Sequence, residues 1–372
     1  MADKYFDDQG ISYTIEDIIN GMTDWVRVID RNGNILFLNK AMSQNLSNDC
    51  IGEKCYKSLG RSGPCEICTS RSAVFNGKPQ IKEEIINGRY FSVMSSPVRN
   101  SEGKIAAVVE VLRDITELKQ LQKEITEQNK KLKRDLDMAK RLQCSLLPSS
   151  FSQDNIKFSY LYKPCETLSG DLIDIYKIDD ENIGLYIADV SGHGVSASML
   201  TVFLRSTIDK KELSPAKALG KLYEKYNLVG FEEHHYITVF LAVINTKNPS
   251  ITFANAGHNA WPILLYNDSF ELLKSCGVPL SNWLEKPIYK DSKITLEKGN
   301  RIFFYTDGLI EVKNEKNEYF DEKQLIDILM KDHSDPDTTL NNLFNKINDF
   351  RGNKKNTADS RDDITMAVIQ II

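Results

Sequence analysis

Four short acidic motifs in the C-terminal part of the sequence contain the residues best suited to catalysis. They are Ser169-Gly170-Asp171-Leu172-Ile173-Asp174, Ala188-Asp189-Val190-Ser191-Gly192-His193-Gly194, Tyr305-Thr306-Asp307-Gly308 and Ser360-Arg361-Asp362-Asp363-Ile364-Thr365. Asp189 and Asp307 each follow an apolar run, 183–188 and 302–305, so their carboxylates should emerge from the ends of buried strands. One such aspartate alone is an ordinary turn or capping residue. Several buried carboxylates together require neutralising cations, and hard ions such as Mg²⁺ or Mn²⁺ favour oxygen ligands, so the set predicts a two-metal site.

The segment that carries these motifs alternates apolar strands with turns and helices. Within residues 156–372, helical patterns occupy 195–211, 215–226, 322–331 and 338–350, and the strands come in consecutive hairpin-like pairs. Antiparallel neighbours need only short connections, whereas parallel neighbours need long crossovers. We therefore predict a mainly antiparallel α+β architecture and not a doubly wound parallel sheet.

The order and spacing of the motifs resemble the metal-dependent protein phosphatase (PPM) family, in the bacterial branch typified by the sporulation stage II E and stress-response sigma-regulator phosphatases. Gly170-Asp171 resembles the first ligand motif of that family, and residues 189–194 resemble its Asp-x-x-Gly-His-Gly signature. Ser169 and Leu172-Ile173 depart from the usual residues without removing a ligand. The resemblance implies an αββα sandwich over residues 150–372. The motifs that complete it are Leu146-Leu147-Pro148, Asn255-Ala256-Gly257-His258-Asn259, Tyr305-Thr306-Asp307-Gly308 and Asp362-Asp363-Ile364-Thr365.

The resemblance also implies roles for individual residues. Asp189 would bridge two Mn²⁺ or Mg²⁺ ions, and the side chain of Asp171 and the carbonyl oxygen of Val190 would complete one coordination sphere. Asp307 and Asp362 would hold the second ion. Asp171, Asp189 and Asp307 are thus the expected catalytic residues of a hydrolase in which a water between two ions attacks phosphorus.

Two further aspartates and two histidines lie in the same motifs. Asp174 and Asp363 are expected to support the metal ligands or to hold a third ion. His193 lies between two glycines and is expected to shape its loop, and His258 is expected to occupy a turn near the site. Because carboxylates already satisfy a hard ion, we do not expect histidine ligands; the alternative role for either histidine is general acid catalysis.

The N-terminal segment, residues 13–114, has the patterns of β-hairpins. The run 25–29 is followed by a turn at 30–34 and the run 35–38, and the run 90–98 is followed by a turn at 100–103 and the run 105–112. Residues 39–75 are less regular and are expected to be helical. Strands that flank short helices and end at Arg113-Asp114-Ile115-Thr116, before a charged helix, are similar to a PAS sensor domain.

Residues 115–147 lack Pro and Gly and are rich in helix formers, which predicts one long helix. A heptad spacing runs through this segment. Its two sets of core positions are Leu118, Ile125, Leu132, Ala139 and Leu146, and Ile115, Gln122, Asn129, Leu136 and Gln143. We predict a parallel coiled coil that joins two chains in a homodimer through a half-polar seam; the alternative is a solvated surface helix.

Four of the seven cysteines cluster in the N-terminal segment. Cys50, Cys55, Cys65 and Cys68 could hold zinc or an iron–sulfur cluster in the PAS-like domain; the alternative is a set of buried, reduced thiols. The spacing from Cys55 to Arg61 also matches the signature of cysteine-dependent phosphatases. We discard that signature, because chance produces it readily in this composition and Lys54 replaces the usual histidine.

Composition excludes several classes of function. A net charge of −5 in 372 residues gives no general attraction to a phosphate backbone, so we expect no nucleic-acid partner. No apolar run approaches the roughly 20 residues that span a bilayer, and the sequence begins with acidic and polar residues. We therefore expect a cytoplasmic protein without membrane segments.

Together, the two resemblances imply an enzyme that hydrolyses phosphoserine or phosphothreonine on a regulatory protein under the control of a sensor domain. The resemblance implies an anti-sigma factor antagonist as the substrate. The alternative is a catalytically silent signalling scaffold with a phosphatase fold, which the complete set of carried-over ligands disfavours. A sensor histidine kinase would also combine a PAS domain with a helix, but the sequence has neither a phosphoacceptor box nor a Gly-rich ATP lid.

Overall fold

The structure, a computed structural model, describes residues 5–6, 12–46, 50–153, 155–232, 234–283, 285, 287–352 and 362–372. The chain divides into two compact units, residues 1–131 and 132–372, and one long helix crosses the boundary. Ser360 and Arg361 of the last acidic motif lie outside the described residues. Within the described ranges, no helix is both long enough and apolar enough to cross a membrane.

The N-terminal unit is built on a five-stranded antiparallel sheet. Its elements are β1 (Tyr5–Phe6), β2 (Ser12–Tyr13), α1 (Ile15–Asn20), β3 (Trp25–Asp30), β4 (Ile35–Leu38), α2 (Lys40–Asn45), α3 (Thr69–Asn76), β5 (Gln80–Ile86), β6 (Arg89–Arg99) and β7 (Ile105–Asp114). The strand order is β4-β3-β7-β6-β5, and β1 pairs separately with β2. Both predicted hairpins are present, and the helices between β4 and β5 give the arrangement that the resemblance to PAS domains implies.

The first hairpin shows how local sequence determines this sheet. In the turn between β3 and β4, Oδ1 of Asp30 accepts hydrogen bonds from the backbone N–H groups of Asn32 and Asn34, each at 2.8 Å. Gly33 has a φ of 83°, a left-handed conformation that glycine adopts without a steric cost. The turn therefore aligns β3 with β4. Elsewhere in the same sheet, Trp25 at the start of β3 packs on Phe91 of β6.

A buried ion pair joins β3 to β7. Arg27 and Glu110 are cross-strand partners, and Nε of Arg27 lies 2.6 Å from Oε2 of Glu110, with side chains 4% and 2% exposed. The hydroxyl of Ser95 donates to Oε1 of Glu110 at 2.8 Å, and Nη1 of Arg27 donates to the carbonyl oxygen of Cys55 at 2.8 Å. Both charges are thus satisfied inside the unit.

Arg27→Met should destabilise the N-terminal unit by about 3–5 kcal/mol, because Glu110 would remain as an unpaired buried charge. Arg113→Met is a matched control, since the Arg113 side chain is 69% exposed and solvent screens its ion pair with Asp24, so this substitution should have little effect on stability. Hydrogen exchange of the β3 and β7 amides in the full chain measures the free energy of opening. Equal effects of the two substitutions would contradict a special role for the buried pair.

The helix α4 (Thr116–Leu146) contains 31 residues and matches the predicted long helix closely. It begins beside Asp114, whose Oδ1 accepts a hydrogen bond from the backbone N–H of Thr116 at 2.9 Å. It ends before Pro148, whose ring and missing N–H disfavour further helix.

The exposure of α4 differs along its length. Leu118 and Ile125 are 61% and 58% exposed, so this part of the predicted seam is uncovered in the single chain. All residues of α4 are described, and Gln143 is the one that is buried. The coiled coil stays a prediction, but Gln143 does not have the seam position assigned to it, because it packs within the C-terminal unit.

The C-terminal unit consists of two antiparallel sheets between two pairs of helices. The strand orders are β10-β11-β12-β13-β16 in the first sheet and β15-β14-β17-β18-β9-β8 in the second. The elements are β8 (Phe151–Gln153), β9 (Ile156–Lys163), β10 (Asp171–Lys177), β11 (Asn182–Val190), α5 (Val195–Thr207), α6 (Pro215–Val229), β12 (Ile237–Asn245), β13 (Ser250–Ala256), β14 (Ile263–Leu265), β15 (Phe270–Leu272), β16 (Ser292–Thr295), β17 (Arg301–Tyr305), α7 (Glu322–Lys331), α8 (Pro336–Arg351) and β18 (Ile364–Ile371).

The layers follow from strands that are apolar on both faces. In β11, Leu185 and Ile187 point into the core between the sheets, whereas Tyr186 and Ala188 point into the core beneath α5 and α6. A third core lies between the second sheet and the pair α7 and α8. Since successive side chains alternate between faces, a strand covered on both sides needs a nearly continuous apolar run. The predicted αββα sandwich is confirmed.

Candidate active site

The first two acidic motifs meet at one end of the first sheet. β10 begins at Asp171 and β11 ends at Val190, and Asp171 lies opposite Asp189 in this antiparallel pair. The backbone N–H of Val190 donates to the carbonyl oxygen of Gly170 at 3.2 Å. A Cβ on Gly170 would lie 2.9 Å from the carbonyl oxygen of Val190, so this close approach requires glycine.

The other two motifs meet at an end of the second sheet. Asp307 follows β17, and Asp362 precedes β18, the antiparallel neighbour of β17. The hydroxyl groups of Thr306 and Thr365 both donate to Oδ2 of Asp171, at 2.8 and 2.6 Å. These hydrogen bonds link the ends of the two sheets and bring the four motifs to one site.

Asp363 is a buried carboxylate whose two oxygens both accept hydrogen bonds from the backbone. Oδ1 accepts from the N–H of Cys165 and Oδ2 accepts from the N–H of Gly170, each at 2.7 Å. Cys165 and Gly170 delimit the loop that leads into Asp171. This geometry fits the predicted supporting role of Asp363 and disfavours its alternative role as a ligand to a third ion.

Asp174 lies on the opposite face of β10 and does not join the other aspartates. Residues three positions apart in a strand point to opposite faces of the sheet, which separates Asp174 from Asp171. Oδ2 of Asp174 lies 2.6 Å from Nζ of Lys210, and Oδ1 lies 3.2 Å from Nη1 of Arg205. The prediction that Asp174 supports the metal ligands or holds a third ion is therefore wrong, because this carboxylate ties α5 to β10.

The two histidines lie in different environments. His193 is exposed, and its Nδ1 lies 2.9 Å from Oε1 of Glu166. His258 is buried, with Nε2 3.0 Å from the carbonyl oxygen of Tyr305 and Nδ1 3.1 Å from Oγ1 of Thr238. Burial lowers the pKa of His258, so a neutral imidazole donates from Nε2 to Tyr305. With both nitrogens occupied, His258 is suited to holding the end of β17, and the general-acid alternative does not fit it.

The clustered carboxylates oppose one another's ionisation. Burial, together with the charges of Asp307 and Asp362, raises the pKa of Asp189 to about 8. Burial and the charge of Asp189 raise the pKa of Asp171, and burial raises the pKa of Asp362 to about 6. A set of buried oxygen donors that resists ionisation fits hard divalent cations, which would stabilise the charged carboxylates.

The spacing of the carboxylates bears on how ions would be held. Among the described residues, no three of these aspartates place carboxylate oxygens within 4.8 Å of one another. Ions bound there would take water as well as carboxylate oxygens as ligands. Mg²⁺ commonly retains several waters, so this open arrangement agrees with the donor set.

We expect the protein in EDTA, without bound divalent ions, to become less stable as the pH rises from about 5 to 8. The raised pKa of Asp189 means that the folded state binds more protons than the unfolded state above the usual aspartate pKa, so stability falls with pH until about 8. Saturating Mg²⁺ should reverse this slope, because protons compete with the ion for the carboxylates. The unfolding temperature of the full chain in EDTA or Mg²⁺ provides the measurement, and Asp189→Asn should flatten the slope in EDTA. A stability maximum at pH 8 in EDTA would contradict the raised pKa.

The four N-terminal cysteines have separate contacts in the structure. Sγ of Cys65 accepts a hydrogen bond from Nη1 of Arg61 at 3.3 Å, and Sγ of Cys68 accepts one from a backbone N–H of α3 at 3.4 Å. Cys50 is buried in a small apolar cluster against which Cys55 packs. No three of these thiols lie within 4.8 Å of one another in the part of the chain that the structure describes. The zinc or iron–sulfur prediction is therefore not supported; of the alternative set of buried, reduced thiols, Cys50 is buried and Cys55, Cys65 and Cys68 are partly buried.

The sandwich and its converging aspartates define a PP2C-type phosphatase domain. The chain shares its fold with the SiaA-PP2C domain of Pseudomonas aeruginosa, with a TM-score of 0.57 and 19% identity over 66% of this chain and 98% of that domain. It belongs to the stage II sporulation protein E (SpoIIE) family, whose family model matches residues 179–372, more than half of the chain. Residues 19–120 match the PAS fold.

Two relatives from Bacillus subtilis (strain 168) are similar over the same share of this chain. Phosphoserine phosphatase RsbP is 28% identical over 247 residues, which cover 64% of this chain and 58% of RsbP. Phosphoserine phosphatase RsbU is 26% identical over 251 residues, which cover 64% of this chain and 70% of RsbU. The chain thus spans less than two thirds of the length of RsbP.

Two threonines of the site were not predicted from the sequence. Thr306 and Thr365 lie inside motifs that were noted for their aspartates, and their hydroxyls occupy one oxygen of Asp171. A signal was available, because Thr306 directly precedes Asp307 at the end of a buried strand. To predict from this signal that Thr306 contacts Asp171, one would have to know that β17 and β18 approach β10. The local spacing of residues does not show that approach.

Proposed function

We propose that this protein is a metal-dependent phosphatase that removes phosphate from phosphoserine or phosphothreonine on a protein. The observation that carries this proposal is the convergence of Asp171, Asp189, Asp307 and Asp362 at adjoining sheet ends. Asp189 and Asp307 line an open groove of about 680 Å³, which gives a substrate access to them. Membership in the SpoIIE family and the names of RsbP and RsbU support hydrolysis of phosphoserine.

The aspartates divide into two sets of metal ligands. Asp171, Asp189 and the carbonyl oxygen of Val190 would hold one Mg²⁺ or Mn²⁺ ion, and Asp307 and Asp362 would hold a second that shares Asp189. Two ions bound there would polarise the phosphoryl group and activate the attacking water. By binding the two ions, these carboxylates would determine where the reaction occurs.

Other side chains hold the ligands in place. Because Thr306 and Thr365 donate to Oδ2 of Asp171, this oxygen has a set position and Oδ1 remains for the site. His258 holds the carbonyl oxygen of Tyr305, two residues before Asp307. Hydrogen bonds of this kind orient metal ligands before a substrate arrives.

The groove also indicates the kind of substrate. Tyr236, Trp261 and Trp283 line it together with Asp189, and Trp283 is 56% exposed with its ring 5.4 Å from that of Tyr236. Aromatic side chains offer a large contact area to a polypeptide segment. This favours a protein substrate, and the family resemblance supports an anti-sigma factor antagonist as that protein.

We further infer that the PAS domain controls this activity through α4 in a homodimer. Leu118, Leu121 and Ile125 are exposed apolar residues at positions i, i+3 and i+7, which lie on one face of a helix. Leu118 and Ile125 are two of the predicted seam positions, and Leu121 lies beside the predicted position of Gln122, so this stripe supports a coiled coil between two chains. Sedimentation equilibrium of the full chain tests for the dimer.

Phosphate release from a phosphoserine protein by the full chain, with Mn²⁺, Mg²⁺ or EDTA, tests the proposed activity. We expect hydrolysis with either ion and none in EDTA. Hydrolysis that continues in EDTA would exclude the metal-dependent reaction. Binding of the phosphoprotein without hydrolysis at any metal concentration would support the silent scaffold, which the complete set of carboxylates disfavours.

A further inference from the structure

The side chain of Gln143 is a buried polar group near the C-terminal end of α4. It is 5% exposed, whereas its neighbours Leu142 and Cys144 on the same helix are exposed. A buried amide must be hydrogen-bonded to offset its loss of water. The partners of Gln143 therefore show what this position does.

Gln143 forms a two-way pair with the backbone of Ser169. Its Nε2 donates to the carbonyl oxygen of Ser169 at 2.7 Å, and its Oε1 accepts from the backbone N–H of Ser169 at 3.1 Å. Nε2 also lies 3.3 Å from Oγ1 of Thr201, to which it donates. One amide thus connects α4, the loop before β10 and the helix α5.

The loop that Gln143 holds leads directly into a proposed metal ligand. Oγ of Ser169 accepts a hydrogen bond from the backbone N–H of Asp171 at 3.0 Å. The residue between them, Gly170, donates its N–H to Asp363 and accepts from Val190 through its carbonyl oxygen. Gln143 and Asp363 therefore hold the same loop from two sides, and a shift of α4 would displace the backbone that carries Asp171.

Thr201 extends the connection to the other side of the site. It lies in α5, which begins directly after Gly194 of the second acidic motif. Its hydroxyl donates to the carbonyl oxygen of Ser198 at 2.6 Å and accepts from Gln143. The helix that follows Asp189 and the loop that precedes Asp171 are thus joined through one side chain of α4.

Packing of α4 alone does not require a glutamine here. Leu136, Ala139 and Leu146 on the same face are partly buried, and Leu147 packs against two of the apolar cores. An apolar residue of similar length would satisfy this face of the helix, but it would leave the N–H and C=O of Ser169 without partners. The side-chain amide of Gln143 is therefore needed for its hydrogen bonds to the loop and not for the packing of α4.

We propose that Gln143 is a positioning residue that couples the placement of α4 to the affinity of the Asp171 site for its divalent ion. This inference rests on the proposed metal-dependent phosphatase. According to this proposal, the position of α4 determines whether Gln143 forms its hydrogen bonds with the Ser169 backbone. Those hydrogen bonds in turn determine whether Asp171 is aligned with Asp189.

The test compares metal responses of full-length variants. Gln143→Met keeps the length of the side chain and removes both hydrogen-bonding groups, and Gln143→Asn retains an amide that is too short to reach both groups of Ser169. We expect both to raise the half-saturating Mn²⁺ concentration at least tenfold, in the phosphatase assay and in calorimetric titration with Mn²⁺ alone. At saturating Mn²⁺, kcat should return to within about threefold of the wild-type value. Gln120→Met, at an exposed position of the same helix outside the predicted seam, should leave both readouts unchanged.

The outcomes separate the coupling from the proposed function. A wild-type Mn²⁺ affinity in Gln143→Asn, or in a folded Gln143→Met, would overturn the coupling and leave the phosphatase intact. A wild-type chain that binds no Mn²⁺ in the calorimeter would overturn both. A lower kcat at saturating Mn²⁺ with unchanged Mn²⁺ affinity would also contradict the coupling, because it would indicate a role other than alignment of the metal ligands.

Discussion

Asp189→Asn should reduce kcat/KM for a phosphoprotein by about a thousandfold, or roughly 4 kcal/mol of transition-state stabilisation. Asp189 lies opposite Asp171 in the strand pairing, and its pKa is raised by burial and by the charges of Asp307 and Asp362. It is thus the carboxylate positioned to serve both proposed ions. An asparagine keeps the shape and removes the negative charge, so the loss reports on the charge. Phosphate release at several Mn²⁺ concentrations provides the measurement.

Asp307→Asn should have a comparable effect from the other sheet. Asp180→Asn is the matched control, because Asp180 lies in the turn between β10 and β11 with a side chain that is 97% exposed. We expect that control to remain within about twofold of the wild-type rate. If Asp189→Asn and Asp307→Asn retained full activity with the same Mn²⁺ requirement, the two-metal mechanism would have to be abandoned.

Gly308→Ala should disrupt the site by steric overlap without removing any ligand. A Cβ at this position would lie 2.0 Å from the carbonyl oxygen of Asp363 and 3.3 Å from Cβ of Asp362. The backbone of the Asp307 turn must therefore move away from the residues before β18. We expect a loss of stability of at least about 2 kcal/mol and a loss of activity of about a hundredfold, because Asp307 and Asp362 would be misaligned.

Gly220→Ala is the matched control for that substitution. Gly220 lies inside α6, and a Cβ there would have no heavy atom from outside the backbone of its own helix turn within 4 Å. Alanine should stabilise the helix by up to about 1 kcal/mol and leave the activity unchanged. Urea unfolding and phosphate release measured on both variants distinguish the two glycines. Similar stability and activity for Gly308→Ala and the wild-type chain would show that the close approach to Asp363 is not needed.

The strand ends of the site could be predicted from local sequence. Apolar runs before Asp189 and Asp307 produce strands that are buried on both faces, and a polar residue directly after such a run must lie at the strand end. That reasoning placed Asp189 and Asp307 at strand ends, whereas Asp171 and Asp362, which lie at the starts of strands, were assigned through the family resemblance. It failed for Asp174, because membership of a motif does not reveal which face of β10 a residue occupies. Lys210 and Arg205, which pair with it, are remote in sequence.

The heptad spacing of residues 115–147 likewise determined a helix and the side of that helix on which Gln143 lies. The spacing could not determine what covers that side of the helix. The same apolar periodicity is expected whether the helix packs on a second chain or on the C-terminal unit. The hydrogen bonds with Ser169 decide the matter for Gln143. For the cysteines, closeness in sequence did not bring three of their sulfur atoms within 4.8 Å of one another in the described residues.

By itself, then, the sequence determined the elements and the strand-end aspartates Asp189 and Asp307, because these depend on residue type and short-range periodicity, and its motifs carried the resemblance to the family. Only the tertiary structure decided which side chains support Asp171. Thr306, Thr365 and Asp363 reach that aspartate or its loop from the second sheet, and Gln143 reaches the loop from α4. The physical reason is that hydrogen bonds act over about 3 Å in space, while the residues they join are separated by 26 to 194 positions along the chain.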